Sequence, residues 1–266
     1  MLRGIYMSGE LIEFAVPFPQ HPRKHREESL FTAREFHRYA SRRTGSPPPK
    51  PPRNVVLVYG HRWKRYLSRK YRAASPSAGS GDYRANDSVG VSIVGGPGAP
   101  HSAIVVEEMA ALGVRRFLIV GMAGSLQPDL RVGSLVACDK ALRDEGTSHH
   151  YVRPSVFAYP SSELTAALVS TLEREGTPYA KGPTWTTDAP YRETVAEVRR
   201  YRQRGILTVE MEASAVFSVA RFRGRQAAAI FVISDHLDER GWEPRFYDCR
   251  PGLRHALDLA VEALAA

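Results

Sequence analysis

The chain has 266 residues, which allows one large domain or two small ones, and 43% are hydrophobic, enough to bury a core. Its net charge of +9 favours anionic ligands, while two cysteines, Cys138 and Cys249, exclude a disulfide framework and have no zinc-ligand spacing. No stretch reaches the roughly 18 apolar residues of a membrane span, and Met1–Glu10 lacks the basic start and apolar run of a secretory signal, so the expected location is cytoplasmic.

Residues 1–53 read as a basic, proline-rich N-terminal extension, and 54–266 as one domain. In the extension, the spacing of Phe31, Phe36 and Tyr39 predicts a short amphipathic helix over Phe31–Arg43. Ser46–Pro52 is an extended connector, because proline lacks the backbone donor and fixes φ. Val55–Tyr59, VVLVY, is a buried strand that ends at Gly60. Ala73–Ser88, rich in Ser, Gly and Ala, reads as a mobile loop or hairpin tip. A second strand, Val89–Val94, runs into the turn Gly95–Gly98, and a helix follows over His101–Leu112, stopped by Gly113. Phe117–Val120 is a strand leading into a glycine turn, Gly121–Gly124; Val132–Cys138 and Ala227–Ile233 are further buried strands. Thr208–Phe222 reads as a helix with Val209, Ala213, Val216, Phe217 and Ala220 on its apolar face, and Leu253–Ala265 as the last helix.

Strand, glycine turn, helix, strand is the pattern of an α/β fold: a central mixed, largely parallel twisted sheet flanked by helices. Glycine turns at strand ends, among them Gly60, Gly98 and Gly121, put candidate binding loops along one edge of such a sheet. The many basic residues of the first 72 come with no zinc-finger spacing and no aromatic RNA-binding signature, so nucleic acid is not the expected partner.

Three segments in this order carry a resemblance. They are Gly95–Leu126 (GGPGAPHSAIVVEEMAALGVRRFLIVGMAGSL), Trp185–Thr194 (WTTDAPYRET), and Val209–Ala213 (VEMEA) followed by Ile233–His236 (ISDH). Together they resemble the trimeric and hexameric nucleoside phosphorylases, which include purine nucleoside and uridine phosphorylases and related nucleosidases. The resemblance implies cleavage of an N-glycosidic bond, with inorganic phosphate as co-substrate and no cofactor or metal. It also implies a homo-oligomer built from dimers.

Such a reaction builds positive charge on the sugar and negative charge on the departing base, and both need stabilising. The resemblance makes Asp235 the acid that protonates a purine ring nitrogen; as a residue at a strand end, it is equally a turn or helix-cap aspartate. Glu212 is the expected ligand of the ribose hydroxyls and Met211 packs against the sugar, with Glu210 on the same segment facing elsewhere. Thr186, Thr187, Asp188, Tyr191 and Arg192 are the expected base pocket; Tyr191 either stacks on the base or belongs to the core, and His236 lines the pocket beside Asp235 or ends the strand. The Gln-x-Arg element with which uridine phosphorylases read uracil is absent from Tyr191–Thr194, which favours a purine.

The phosphate site departs from the family's pattern. Where the relatives carry Gly-Asp-Pro-x-Arg, this chain has Gly60-His61-Arg62-Trp63-Lys64, followed by Arg65. A basic loop at a strand end is still an anion cradle, so Gly60, Arg62, Lys64 and Arg65 are the expected phosphate ligands. Where the family has Arg-Val-Gly-Ser/Thr, Ile119 and Met122 replace the guanidinium and the hydroxyl. Three outcomes follow: phosphorolysis at a relocated phosphate site, hydrolysis of a nucleoside or nucleoside 5′-phosphate, or binding of a nucleotide without turnover. Among the histidines, His21, His25 and His37 are candidates to reach a neighbouring subunit's ribose, and the adjacent His149 and His150 are a poor metal site.

Overall fold

The computed structural model describes residues 6–7, 10–11, 18–19, 21, 24–73 and 81–266. Eleven strands form one sheet: β1 (Asn54–Tyr59), β2 (Arg72–Ala73), β3 (Gly81–Arg84), β4 (Val89–Val94), β5 (Arg116–Ser125), β6 (Leu135–Asp144), β7 (Phe157–Ala158), β8 (Tyr179–Thr187), β9 (Thr208–Glu210), β10 (Gln226–Asp238) and β11 (Gly241–Pro244). Seven helices accompany it: α1 (Ala33–Thr44), α2 (Trp63–Lys70), α3 (Ala99–Ala111), α4 (Ser162–Arg174), α5 (Val195–Gln203), α6 (Ala213–Phe222) and α7 (Arg250–Ala265). A separate two-stranded pairing joins Tyr6–Met7 to Glu10–Leu11.

The centre is parallel: β1 pairs with β4 and β5, β5 with β10, and β8 with β6 and β9. Antiparallel pairings link β10 to β6 and β9 to β5, so β5, β10, β6, β8 and β9 close on themselves. The two-residue side-chain period sorts this sheet onto two cores. Val56, Val58, Leu118, Val120, Ile230 and Val232 face the layer that holds α2, α4 and α7. Val55, Leu57, Phe117, Ile119, Phe231 and Ile233 face α3 and α6. A strand covered on both faces must be apolar at every position, which is why VVLVY and AAAIFVI read as continuous runs. Each such aliphatic side chain contributes about 1.5–3 kcal/mol by leaving water.

Local chemistry fixes the helix ends. Thr32 and Glu35 form a capping box at the start of α1, which ends at Gly45 with φ 67°; Thr194 and Glu197 form the same box on α5. The α1 prediction holds, but its apolar residues find little cover among the described residues: Phe31 is 71% and Tyr39 62% exposed. The helix is tied to α3 by the His37 ring, whose Nε2 lies 3.2 Å from the Glu108 carbonyl.

Three expectations need correction. Thr208–Glu210 is strand, not helix, because Thr208 and Val209 pair with β8 and β5; α6 begins at Ala213. Gly121–Gly124 is not a turn but the continuation of β5, paired along β10. The strand expected at Val132–Cys138 starts at Leu135 and runs on to Asp144. Within Ala73–Ser88, β2 and β3 pair as a hairpin, and 74–80 lie outside the described residues. Elements β7, α4, β8 and α5 had no counterpart in the sequence reading.

Candidate active site

The C-terminal ends of the parallel strands carry the polar residues, as open α/β sheets require. The end of β9 and the residues just after it hold two buried carboxylates. Glu210, 5% exposed, accepts from Thr186 Oγ1 at 2.5 Å and from the backbone N–H groups of Glu212 and Ala213 at 2.7 and 2.8 Å. It therefore closes the N-terminus of α6, where free amides and the helix dipole favour a carboxylate. Glu212, 7% exposed, accepts from the Gly98 N–H at 2.6 Å and from the Met211 N–H at 3.3 Å. Gly98 itself sits at φ 111°, a conformation that suits glycine. Burial pushes both carboxyls up from their ordinary range, and the charge of Glu212 adds to the shift on Glu210. The same two charges, after burial, raise the Tyr59 hydroxyl, which accepts from Ser102 Oγ at 3.2 Å.

Behind this pair, Ser214 donates to the buried Glu145 at 2.8 Å, and its own N–H donates to Thr186 Oγ1. Asp188 Oδ2 accepts from the Gly146 N–H at 2.7 Å, joining the end of β8 to the loop after β6. Phe18 of the N-terminal extension packs edge-on against His149 and His150 in that loop.

Asp235 lies two strands away. Register aligns Asp235 with Gly124 and Gly124 with Val209, one row across β10, β5 and β9. At about 4.8 Å per strand, that row spans roughly 10 Å. A bulge between Ile233 and Asp235 turns the carboxylate out of the regular pleat. Its Oδ1 accepts from Ser234 Oγ at 2.5 Å and its Oδ2 from the Trp242 indole N–H at 2.8 Å. Gly124 leaves room for it: a Cβ there would stand 3.0 Å from Asp235 Oδ2 and 2.4 Å from Leu237 Cδ1.

The basic loop follows β1. Gly60 takes φ 87°, and Arg62 extends its Nη1 to 3.4 Å from the Met122 sulfur. That guanidinium thus stands beside one of the two positions at which the expected phosphate ligands are replaced. The other, Ile119, is fully buried among the α3 and α6 side chains. Lys64 and Arg65 point into a surface hollow of about 670 Å³ together with Arg62, Arg69, Arg250 and Arg254; no carboxylate lines it. Gly121 packs its backbone against Phe231 within the sheet, where a Cβ would approach the ring to 3.3 Å.

Some expected residues stand apart. Tyr191 is 99% exposed on a short turn, so the core alternative fails, and nothing among the described residues covers its ring. Arg192 shares that turn. His236 lines a separate hollow with Gln127, Arg202 and Glu243. His21 is paired with Glu27 at 2.8 Å. Residues that the sequence reading missed are Trp242, Glu145 and Glu193. Glu193 is a half-buried carboxyl pushed up to about 7 by burial, then by the charges of Asp235 and Glu197. Only the run Thr-Asp-Ala-Pro-Tyr-Arg-Glu-Thr, which places Glu193 inside the base-pocket segment, held a signal for it. Among the described residues no group of three His, Cys, Asp or Glu side chains is placed to hold a metal ion, and no helix is long and apolar enough to cross a membrane.

Two buried carboxylates, one of them held by the Gly98 amide, a third on a bulged strand and a basic loop after β1 are thus brought to the strand ends of an α/β sheet. Residues 77–258 match the phosphorylase superfamily, and the chain belongs to that family. A guanosine phosphorylase of Halorubrum lacusprofundi is 37% identical over 142 residues, 53% of this chain and 59% of that protein. A uridine phosphorylase of Thermococcus kodakarensis is 33% identical over 154 residues, 52% of this chain and 54% of that protein. The matches thus span little more than half the length of these relatives. In three dimensions, the AMP nucleosidase of Bacteroides thetaiotaomicron superposes with a TM-score of 0.71 at 20% identity, covering 88% of this chain and 97% of that one.

Proposed function

We propose that this chain cleaves the N-glycosidic bond of a purine nucleoside by phosphorolysis, giving the free base and a sugar 1-phosphate. The observation that carries the reading is Glu212: a buried carboxylate just past the end of β9, held by the Gly98 and Met211 amides. A carboxylate in that setting has acceptor capacity left for two adjacent sugar hydroxyls. Met211 lies against the sugar, Thr187 and Asp188 flank the base, and Asp235 stands beside the purine imidazole. Arg62, reaching Met122, supplies the guanidinium that the strand no longer carries, with Gly60, Lys64 and Arg65 around it. The guanosine phosphorylase relative supports a purine, and the working form is a homo-oligomer in the cytoplasm.

A second reading has its own support. Arg62, Lys64, Arg65, Arg69, Arg250 and Arg254 surround one hollow, and none has a carboxylate partner among the described residues. Cations gathered without counter-charges favour an anionic ligand. In this reading the anion belongs to the substrate, a nucleoside 5′-phosphate, and water is the nucleophile. The AMP nucleosidase neighbour is in keeping with it.

The deciding experiment is base release from purine and pyrimidine nucleosides and their 5′-phosphates, with and without inorganic phosphate. Phosphate-dependent release with a sugar 1-phosphate product is the expected result. Release from a 5′-phosphate that ignores added phosphate establishes the second reading, and no release from any substrate removes both.

A further inference from the structure

Helices α2 and α7 are neighbours on one face of the sheet. Lys70 pairs with Asp258 across them, and the Arg254 guanidinium lies 5.0 Å from the centre of the Tyr66 ring. Nearer the starts of the two helices the balance of charge is lost. Arg65 and Arg69 from α2 and Arg250 and Arg254 from α7 line one hollow of about 670 Å³, with Arg62 and Lys64 beside them. Among the described residues no carboxylate reaches any of these six cations.

The arrangement is unfavourable by itself. Arg65 and Arg69, like Arg250 and Arg254, stand four residues apart on a helix, the spacing at which like charges repel. Helix starts also carry the positive end of the dipole, which favours carboxylates. Glu35, Glu163 and Glu197 occupy the first turns of α1, α4 and α5. Glu212 meets the Gly98 amide at the start of α3, and Glu210 meets the first amides of α6. Helices α2 and α7 begin with cations instead.

A second basic hollow shows the difference. Arg53, Arg115, Arg116 and Arg225 line it at the opposite ends of β1, β5 and β10, together with Asp87. There Arg116 Nε donates to Asn54 Oδ1 at 3.1 Å, and Arg225 Nη2 to the Ala110 carbonyl in the last turn of α3 at 3.4 Å. The fold supplies negative partners at that end and supplies none between α2 and α7.

We propose that the hollow between α2 and α7 binds an oligophosphate: two or three linked phosphates, free or as the 5′ chain of a nucleotide. Arg65 and Arg69 hold it from one wall and Arg250 and Arg254 from the other. Its volume falls in the range of small-ligand sites, about 300–1,000 Å³. Guanidinium groups offer paired donors that match phosphate oxygens. A single phosphate monoester brings about two negative charges, too few for six cations, and each further phosphate adds charge along a chain. The site is separate from the position beside Met122 that the phosphorolytic reading gives to the reacting phosphate. It differs from the hydrolytic reading in the charge of the ligand, and binding depends on neither nucleophile.

The test is calorimetric titration of the full chain at fixed ionic strength with orthophosphate, pyrophosphate, tripolyphosphate and a purine nucleoside 5′-triphosphate. Arg69→Gln with Arg254→Gln removes one arginine from each wall. Arg53→Gln with Arg115→Gln removes the same charge from the second hollow. Wild type should bind tripolyphosphate about tenfold or more tightly than orthophosphate. The first double variant should lose about tenfold or more of that affinity, because two charge-assisted contacts are gone. The second should stay within about threefold of wild type. A nucleoside triphosphate that binds more tightly than tripolyphosphate, with the same loss in the first variant, makes a nucleotide the source of the chain; equal or weaker binding makes it the free chain. Orthophosphate bound as tightly as tripolyphosphate makes this a single-phosphate site and overturns the proposal. Equal losses in the two double variants, or no saturable binding of tripolyphosphate by wild type, overturn it as well. If the first variant does not fold, Arg65→Gln with Arg250→Gln removes the other arginine of each wall and decides in the same sense. Binding is read without turnover, so its failure leaves the base-release assay to judge the reaction, and absence of base release leaves this titration standing.

Discussion

Glu212 and Glu210 stand two residues apart and do different work. Glu210 has three donors from its own chain and closes a helix. Glu212 has only two backbone amides, one of them long, and keeps lone pairs for a ligand. Hydrogen bonds to a charged group are worth about 1.5–3 kcal/mol each. Glu212→Gln should therefore lower kcat/KM tenfold to a hundredfold, and the loss should shrink on a substrate lacking the sugar 2′-hydroxyl. An equal loss on both substrates would separate Glu212 from the sugar. Glu210→Ala should act on stability instead. It leaves the Glu212 and Ala213 amides and the Thr186 hydroxyl without their acceptor, and each buried orphan costs about 1–3 kcal/mol. Thermal unfolding of the variant checks this; a melting temperature equal to wild type would show that water or Thr186 takes over the cap.

Among the elements, legibility followed burial. The strands β1, β4 and the first half of β10 were readable because both faces meet helices and every position is apolar. The strand β8, YAKGPTWTT, was not, since its buried positions include Thr184, Thr186 and Thr187, which look like loop residues until their partners are known. Helix α5 has one fully buried residue, Val198, so it shows little apolar stripe. The glycines of β5 misled for a physical reason: glycine marks turns in sequence, but Gly124 is required by the close approach of Leu237 and Asp235 inside a strand. Gly124→Ala should therefore cost more than an ordinary strand substitution. The added methyl must displace Leu237 or push the Asp235 carboxylate off Trp242, so activity should fall with little loss of helix signal in circular dichroism. An active Gly124→Ala protein would mean that the β10–β11 hairpin yields easily. The motifs at Glu212 and Asp235 were legible as a resemblance, whereas Trp242 acquires meaning only when the β10–β11 hairpin brings its indole N–H to Asp235.

For the molecule as a whole, the carboxyl cluster ties stability to pH. Burial raises Glu210 and Glu212, and Glu193 is pushed up to about 7, above the ordinary value of 4.5. A carboxyl raised in the folded state holds its proton there after the unfolded chain has released its own. Its contribution is full below the unfolded value and is lost as pH rises through the folded one. His149 and His150 act in the opposite sense, because burial lowers both in the fold; their effect ends once the unfolded histidines are neutral, above about 6.5. Between pH 6.5 and 8.5 the glutamates are left to dominate, and the melting temperature should fall as pH rises. One proton released from the buried pair corresponds to about 1.4 kcal/mol per pH unit. In a chain of this size that is about 3–5 °C per unit. Glu212→Gln, which removes one charge from the pair, should flatten the slope. A melting temperature that climbs across this window, in wild type at constant ionic strength, would mean that Glu210 and Glu212 are both ionised in the folded protein without strain. The hydrogen bonds from Thr186, Gly98 and the α6 amides would then outweigh the burial of two negative charges.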